Sequence, residues 1–118
     1  MKNLVLPVLL VLALPATGRA GDITPVSAEI LDRPETAGAL LALAPLRAAV
    51  ARLARADDRV LEIFYPGGEE GALRAARLEG WLVALGVPST RMVVLPGGVE
   101  AGYIGLRVGK SKTRKQRP

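Results

Sequence analysis

The middle of the chain constrains the fold most, because a strand, a helix and a second strand follow one another there with turn signals between them. Residues 59–65 (RVLEIFY) combine Val, Ile, Phe and Tyr in seven positions, which favours a strand, and the PGG that follows ends it. The spacing of apolar residues predicts a helix over residues 69–85, with Gly86 as its C-terminal stop. Residues 92–95 (MVVL) predict the next strand.

Further elements are predicted on both sides of this unit. Residues 23–31 (ITPVSAEIL) contain several β-branched residues and predict a first strand, and residues 103–108 (YIGLRV) predict the last one. Residues 40–56 predict a helix that begins or kinks at Pro45, because proline has no backbone N–H to donate. The order β-α-β-α-β-β predicts an α+β fold, a two-layer sandwich with the helices on one face of a small mixed sheet.

Both long helices carry a single apolar face. In the first, the apolar residues recur at steps of three and four: Leu43, Leu46, Val50 and Leu53. In the second, the residues that share one face are Ala75, Leu78, Trp81, Leu82 and Leu85. Trp81 is therefore predicted to lie in the core, whereas Arg74 and Arg77 are predicted at the surface, with Glu70 and Arg74 as an i,i+4 ion pair.

The N-terminus has the three parts of a secretory signal peptide. Residues 1–3 (MKN) are a short basic start, residues 4–15 (LVLPVLLVLALP) are apolar, and residues 16–20 (ATGRA) supply small residues. Cleavage is predicted after Ala20, with Gly18 as the other candidate, and would leave a 98-residue product of charge +3. An uncleaved N-terminal anchor is the alternative, although twelve apolar residues are shorter than the roughly 20 that a membrane span needs. The predicted location is periplasmic or secreted.

Charge is divided unevenly along the rest of the chain. Residues 21–108 hold nine Arg, no Lys and eleven acidic residues, and are predicted to form the folded domain. Residues 109–118 hold five basic residues and no acidic one, which predicts a disordered basic tail. Such a tail suits an anionic membrane or another polyanion, but nucleic acid is not favoured because no aromatic residue stands among the charges.

The chain contains neither Cys nor His. A disulfide framework, a thiol nucleophile, an imidazole base and a Cys/His zinc site are therefore excluded. The residues predict a protein that is not an enzyme and that uses no metal and no cofactor.

The loop of residues 65–71 (YPGGEEG) lies between a predicted strand and a predicted helix, where anion-binding loops occur. Phosphate binding is not favoured, because GxGxxG spacing is missing and the carboxylates of Glu69 and Glu70 would repel an anion. These two glutamates would not act as an acid–base pair either, since adjacent helical side chains point about 100° apart. The structural alternative is a tight glycine turn followed by carboxylates that favour the helix N-terminus.

From residue 40 to residue 108, the order of elements resembles the OmpA-like (OmpA/MotB C-terminal) peptidoglycan-associated domain. The closest match runs over residues 74–91 (RAARLEGWLVALGVPSTR), which have the RA helix start and the GVPxxR turn of that family. The resemblance implies a domain that binds a peptidoglycan stem peptide, with Arg74 as the arginine that grips its carboxylates.

Some features depart from that family. Its loop carries an aspartate in a TD..G motif, but alignment on Gly71 places Gly68 at that position, with Glu69 next to it. The stretch between loop and helix is several residues short, and the family's Asn-Arg near the last strand is absent. The residues of the loop and second helix are also similar to small exported proteins of integrating conjugative elements, which implies an accessory role in a mating apparatus.

The sequence therefore predicts an exported, non-enzymatic envelope-binding protein, peptidoglycan-associated or accessory to conjugative transfer. The candidate ligand-binding residues are Arg74 for an anionic group and Glu69 and Glu70 at the loop. The alternative is a structural adaptor that docks another envelope protein through its sheet edge or a helix face, while the basic tail contacts an acidic surface.

Overall fold

The computed structural model describes residues 22–111. The predicted signal peptide lies outside these residues, as does the tail from residue 112 onward. The elements, in chain order, are β1 (Thr24–Ser27), α1 (Ala28–Leu31), α2 (Ala37–Leu40), α3 (Ala44–Arg55), β2 (Arg59–Tyr65), α4 (Glu69–Ala84), a 3₁₀ turn (Ser89–Arg91), β3 (Met92–Pro96) and β4 (Tyr103–Lys110).

The four strands form one mixed sheet in the order β1-β4-β2-β3. β2 and β3 are parallel, with Leu61 opposite Met92, and α4 makes the crossover between them. β4 runs antiparallel to both of its neighbours, with Ile63 opposite Leu106 on one side and Val26 opposite Ile104 on the other. The predicted α+β fold with a small mixed sheet is confirmed.

One hydrophobic core lies between the helices and one face of the sheet. Side chains alternate between the two faces of a strand, so residues paired across strands share a face. The sheet contributes Val26, Leu61, Ile63, Met92, Ile104, Leu106 and Val108, and the helices contribute Leu31, Leu40, Leu46, Ala49, Leu53, Ala75, Leu78 and Leu82. The helical layer thus covers one face and leaves the other face of the sheet to loops and solvent.

The first strand has four residues instead of the nine predicted. Residues 24–27 are a strand, but residues 28–31 form one helical turn, because the Ser27 side chain accepts a hydrogen bond from the Glu29 N–H and caps a helix start. A second cap follows at Thr36, whose hydroxyl accepts from the Ala39 N–H.

The ends of the other elements lie close to their predicted positions. α3 begins at Ala44 with Pro45 in its first turn, as the proline predicted. β4 continues to Lys110, and the Ser111 N–H donates to the Asp58 carbonyl. The tail prediction, which began at residue 109, was therefore wrong at its start, because backbone pairing with β2 holds residues 109 and 110 in the sheet.

Two side chains predicted in the core are only partly buried. Ala75, Leu78 and Leu82 of α4 are buried, whereas Trp81 and Leu85 pack against the core from its edge. The prediction of a core Trp81 therefore holds for its packing but not for full burial.

Arg91 joins three segments at one end of the sheet. Its guanidinium donates to the backbone carbonyls of Leu53, Ala56 and Arg59, so it links the end of α3 to the start of β2. This arginine closes the predicted GVPSTR turn and has a structural role.

The face of the sheet opposite the helices carries a polar pair beside an aromatic ring. Arg107 Nε donates to Glu62 Oε1 at 2.6 Å, and these residues are direct partners across β2 and β4. The Arg107 guanidinium also lies 5.0 Å from the centre of the Phe64 ring. The loop of residues 97–102 folds over this face, since a Cβ added at Gly98 would lie 3.1 Å from the Phe64 ring.

Candidate functional site

The candidate site is a cleft of about 390 Å³ between the β2–α4 loop and the β3–β4 loop. It lies beside the N-terminus of α4. Its lining residues are Ala28, Pro66, Gly67, Gly68, Glu69, Glu70, Gly71, Arg74, Ala101 and Gly102. All three predicted site residues line this cleft.

Two glycines give the floor of the cleft its shape. Gly68 precedes α4 with φ of 109°, a conformation that residues with a Cβ rarely adopt. Gly71 lies in the first turn of the helix, where an added Cβ would be only 2.7 Å from the Pro66 carbonyl oxygen. The loop can therefore fold closely against the helix only because residue 71 has no side chain.

Arg74 forms a two-point ion pair with Asp32. Its Nε donates to Asp32 Oδ1 at 3.1 Å and its Nη2 donates to Asp32 Oδ2 at 3.0 Å, which is the fork geometry that arginine and carboxylate favour. The hydrogen bond from Arg74 is the main reason that the pKa of Asp32 lies below its ordinary value, and the same bond raises the pKa of Arg74. The candidate anion-binding arginine thus already holds a carboxylate of its own chain.

Arg77 supports the same carboxylate from the next turn of the helix. Its Nη1 lies 3.7 Å from Asp32 Oδ1, and its Nη2 donates to the Pro34 carbonyl. The guanidinium lies 4.4 Å from the centre of the Trp81 ring, a cation–π arrangement. Arg77 is therefore exposed, as predicted, but through Asp32 and Pro34 it also links the segment between α1 and α2 to α4.

The charge around the cleft is mixed. The Glu70 carboxylate lies 3.6 Å from Arg74 Nη2, which confirms the predicted i,i+4 pair, and its side chain is 87% exposed. Glu69 is also exposed. About a fifth of the Arg74 side chain is exposed to solvent at the cleft. The cleft is therefore lined by two exposed carboxylates and by the partly exposed guanidinium of Arg74.

Asp32 is the site residue that the sequence did not identify. It follows α1 and lies 42 residues before Arg74, so no spacing rule connects the two.

Within residues 22–111, no group of three acidic side chains is placed to hold a metal ion. No helix in the same span combines the length and the apolar character needed to cross a membrane. Comparison with protein-family models, with curated proteins and with solved structures finds no match.

The Asp32–Arg74 pair predicts a pH effect on stability. Because the pKa of Asp32 is lower in the folded protein than its ordinary 3.8, the stabilisation is complete above that value and is lost as the pH falls through the lowered folded pKa. We expect Asp32→Asn to lose up to about 1 kcal/mol of unfolding free energy at neutral pH and to show a flatter acid limb. Urea denaturation at pH 2 to 7 measures this, with Asp57→Asn as the exposed control. Equal acid limbs in wild type and Asp32→Asn would contradict the prediction.

Proposed function

We propose that this protein is an exported, non-catalytic binding domain of the cell envelope, and that its ligand is the peptide part of peptidoglycan. The observation that carries the proposal is that Arg74 and the exposed Glu69 and Glu70 line the same cleft. A peptide that carries both carboxylate and ammonium groups finds a partner for each there. The resemblance of residues 74–91 to the OmpA-like domain supports the same ligand class.

Arg74 can serve such a ligand without leaving Asp32. A guanidinium has five N–H donors, and the two hydrogen bonds to Asp32 use one on Nε and one on Nη2. Nη2 also lies 3.6 Å from the Glu70 carboxylate, so a ligand carboxylate would use the N–H groups of Nη1. Asp32, which Arg77 also contacts, holds the Arg74 guanidinium in place, so little side-chain entropy is lost when a ligand carboxylate binds it.

Retention on purified peptidoglycan sacculi tests this proposal. We expect Arg74→Ala to weaken binding of the exported protein by about 10- to 100-fold, because a hydrogen bond to a charged group contributes roughly 1.5–3 kcal/mol. Arg55→Ala is the matched control, since Arg55 is an exposed arginine of α3 that does not line the cleft. Melting curves of both variants separate lost binding from lost folding. A folded Arg74→Ala variant that is retained like the wild type would overturn the proposal.

A second candidate function is that of an adaptor that docks another envelope protein. The outward face of α4 favours it, because Leu73 is 64% exposed and Val83 46% exposed, with only Ala76 and Gly80 at the positions between them on that face. If sacculi retain no protein, or if retention is lost only when residues 112–118 are deleted, the adaptor is favoured. An accessory role in conjugative transfer is compatible with either of these two functions.

Export itself is open to a direct measurement. We propose a periplasmic or secreted location, and N-terminal sequencing of the mature protein is expected to begin at Gly21. A cytosolic protein that retains Met1 would contradict this part of the proposal.

A further inference from the structure

A second cavity lies on the face of the sheet that the helices leave uncovered. It measures about 400 Å³, within the roughly 300–1,000 Å³ range of small-molecule sites. Its lining residues are Ile23, Pro25, Gly98, Val99, Glu100 and Tyr103. Neither the predicted site nor the core uses it.

One loop lines both this cavity and the Arg74 cleft. Residues 98–100 face the cavity, whereas Ala101 and Gly102, the next two residues, line the cleft. Backbone hydrogen bonds hold the loop at both ends, from the Gly97 N–H to the Tyr65 carbonyl and from the Ala28 N–H to the Gly102 carbonyl. A ligand that fills the cleft and continues over this loop therefore reaches the second cavity.

The Ile23 side chain can line the cavity as it does because residue 105 is a glycine. A Cβ at Gly105 would lie 2.5 Å from Ile23 Cγ2, so the bare backbone lets the Ile23 side chain lie over the sheet. Pro25 pairs with Gly105 across β1 and β4, and Tyr103 lies two residues earlier on the same face. The result is a shallow apolar wall beside one aromatic ring.

The side chains of the cavity suit a sugar that carries an acetamido group. A pyranose ring has a face of C–H groups that stacks on an aromatic ring, and Tyr103 is 41% exposed. Sugar hydroxyls are hydrogen-bond donors, and the Glu100 carboxylate accepts only. The apolar side chains of Ile23 and Val99 offer contact for an acetyl methyl group.

We propose that the cavity at Tyr103 is a glycan subsite that binds an N-acetylated hexose of peptidoglycan while the attached peptide lies in the Arg74 cleft. The proposal rests on the proposed function, because the peptide places the sugar. It extends that function from a cleft that binds peptide to a groove that binds both the peptide and the sugar to which it is attached.

The experiment compares two soluble probes by calorimetry: the free stem peptide, and the same peptide joined to its N-acetylated disaccharide. Wild type is expected to bind the disaccharide-peptide about tenfold more tightly than the peptide. Tyr103→Ala is expected to abolish that difference and to leave peptide affinity unchanged, whereas Tyr103→Phe, which keeps the ring, is expected to preserve it. Val93→Ala is the control, since Val93 is exposed on the same sheet face but does not line the cavity.

The outcomes separate the subsite from the cleft. If Arg74→Ala weakens both probes while Tyr103→Ala weakens only the disaccharide-peptide, both assignments stand. Equal affinity of wild type for the two probes would overturn the glycan subsite and leave the cleft intact. If the wild type binds neither probe, the proposed function fails, and the glycan subsite, which depends on it, is overturned with it.

Discussion

Replacing Leu61 with alanine is expected to lower the free energy of unfolding by about 2–5 kcal/mol. Leu61 is completely buried in β2, a strand with neighbours on both sides, where it is paired with Met92 of β3 and Val108 of β4. Truncation leaves a cavity, and pairing with β3 and β4 prevents β2 from moving to fill it. The cost is large against the total of about 5–15 kcal/mol that a domain of this kind has.

Thermal and urea denaturation measure this effect. A change of 1 kcal/mol corresponds to roughly 4–8 °C in Tm for a domain of this size. Leu73→Ala is the control, because the same atoms are removed from a side chain that is 64% exposed, and we expect a change within about 0.5 kcal/mol. Similar losses in the two variants would show that Leu61 does not lie in the core.

Alanine substitutions at two glycines of α4 are expected to change stability in opposite directions. Alanine normally stabilises a helix interior over glycine by about 0.5–1 kcal/mol. Gly80 has open space around it, so Gly80→Ala is expected to show that gain. At Gly71, the new Cβ would meet the Pro66 carbonyl oxygen at 2.7 Å, and Gly71→Ala is expected to cost about 1–3 kcal/mol because backbone has to move.

The same pair of variants connects stability to binding. The loop that Gly71→Ala displaces lines the cleft, so this variant is expected to lose retention on sacculi as well as stability. Gly80→Ala leaves the cleft untouched and should bind like the wild type. A stabilised Gly71→Ala variant would mean that the β2–α4 loop does not pack against the helix as described.

The centre of the fold was predictable because its signals are local. The boundaries of β2 match the apolar and β-branched run of residues 59–65, and α4 begins at Glu69, directly after the glycines. α3 begins at Ala44, because a proline is tolerated only in the first turn. In each case the residues that define the element are neighbours in sequence.

The errors arose where hydrogen bonds overrode the strand propensity of a segment. Residues 23–31 contain β-branched residues that favour a strand, but Ser27 caps a helical turn over the last four of them. The end of β4 was placed too early because Gly109 and Lys110 have weak strand propensity of their own, and the backbone of β2 pairs with them regardless.

The candidate site was predictable only in part, for a different reason. Glu69, Glu70 and Arg74 share one helix, so their proximity follows from spacing alone. Asp32 reaches Arg74 only after α1 and α4 have packed together, and the Tyr103 cavity needs Ile23, Val99 and Gly105 to meet across strands. Such contacts depend on topology, and a single sequence contains no direct signal for them.

In the loop between β3 and β4, the residues that set the backbone path are different from those whose side chains line the cavities. Gly97, Gly98 and Gly102 all have positive φ, so these three positions determine the path of the backbone. The three residues between them, Val99, Glu100 and Ala101, contribute side chains that line the Tyr103 cavity and the Arg74 cleft. If the proposed binding holds, substitutions at those three positions are expected to alter ligand preference without changing the backbone path, so specificity can be varied here independently of folding.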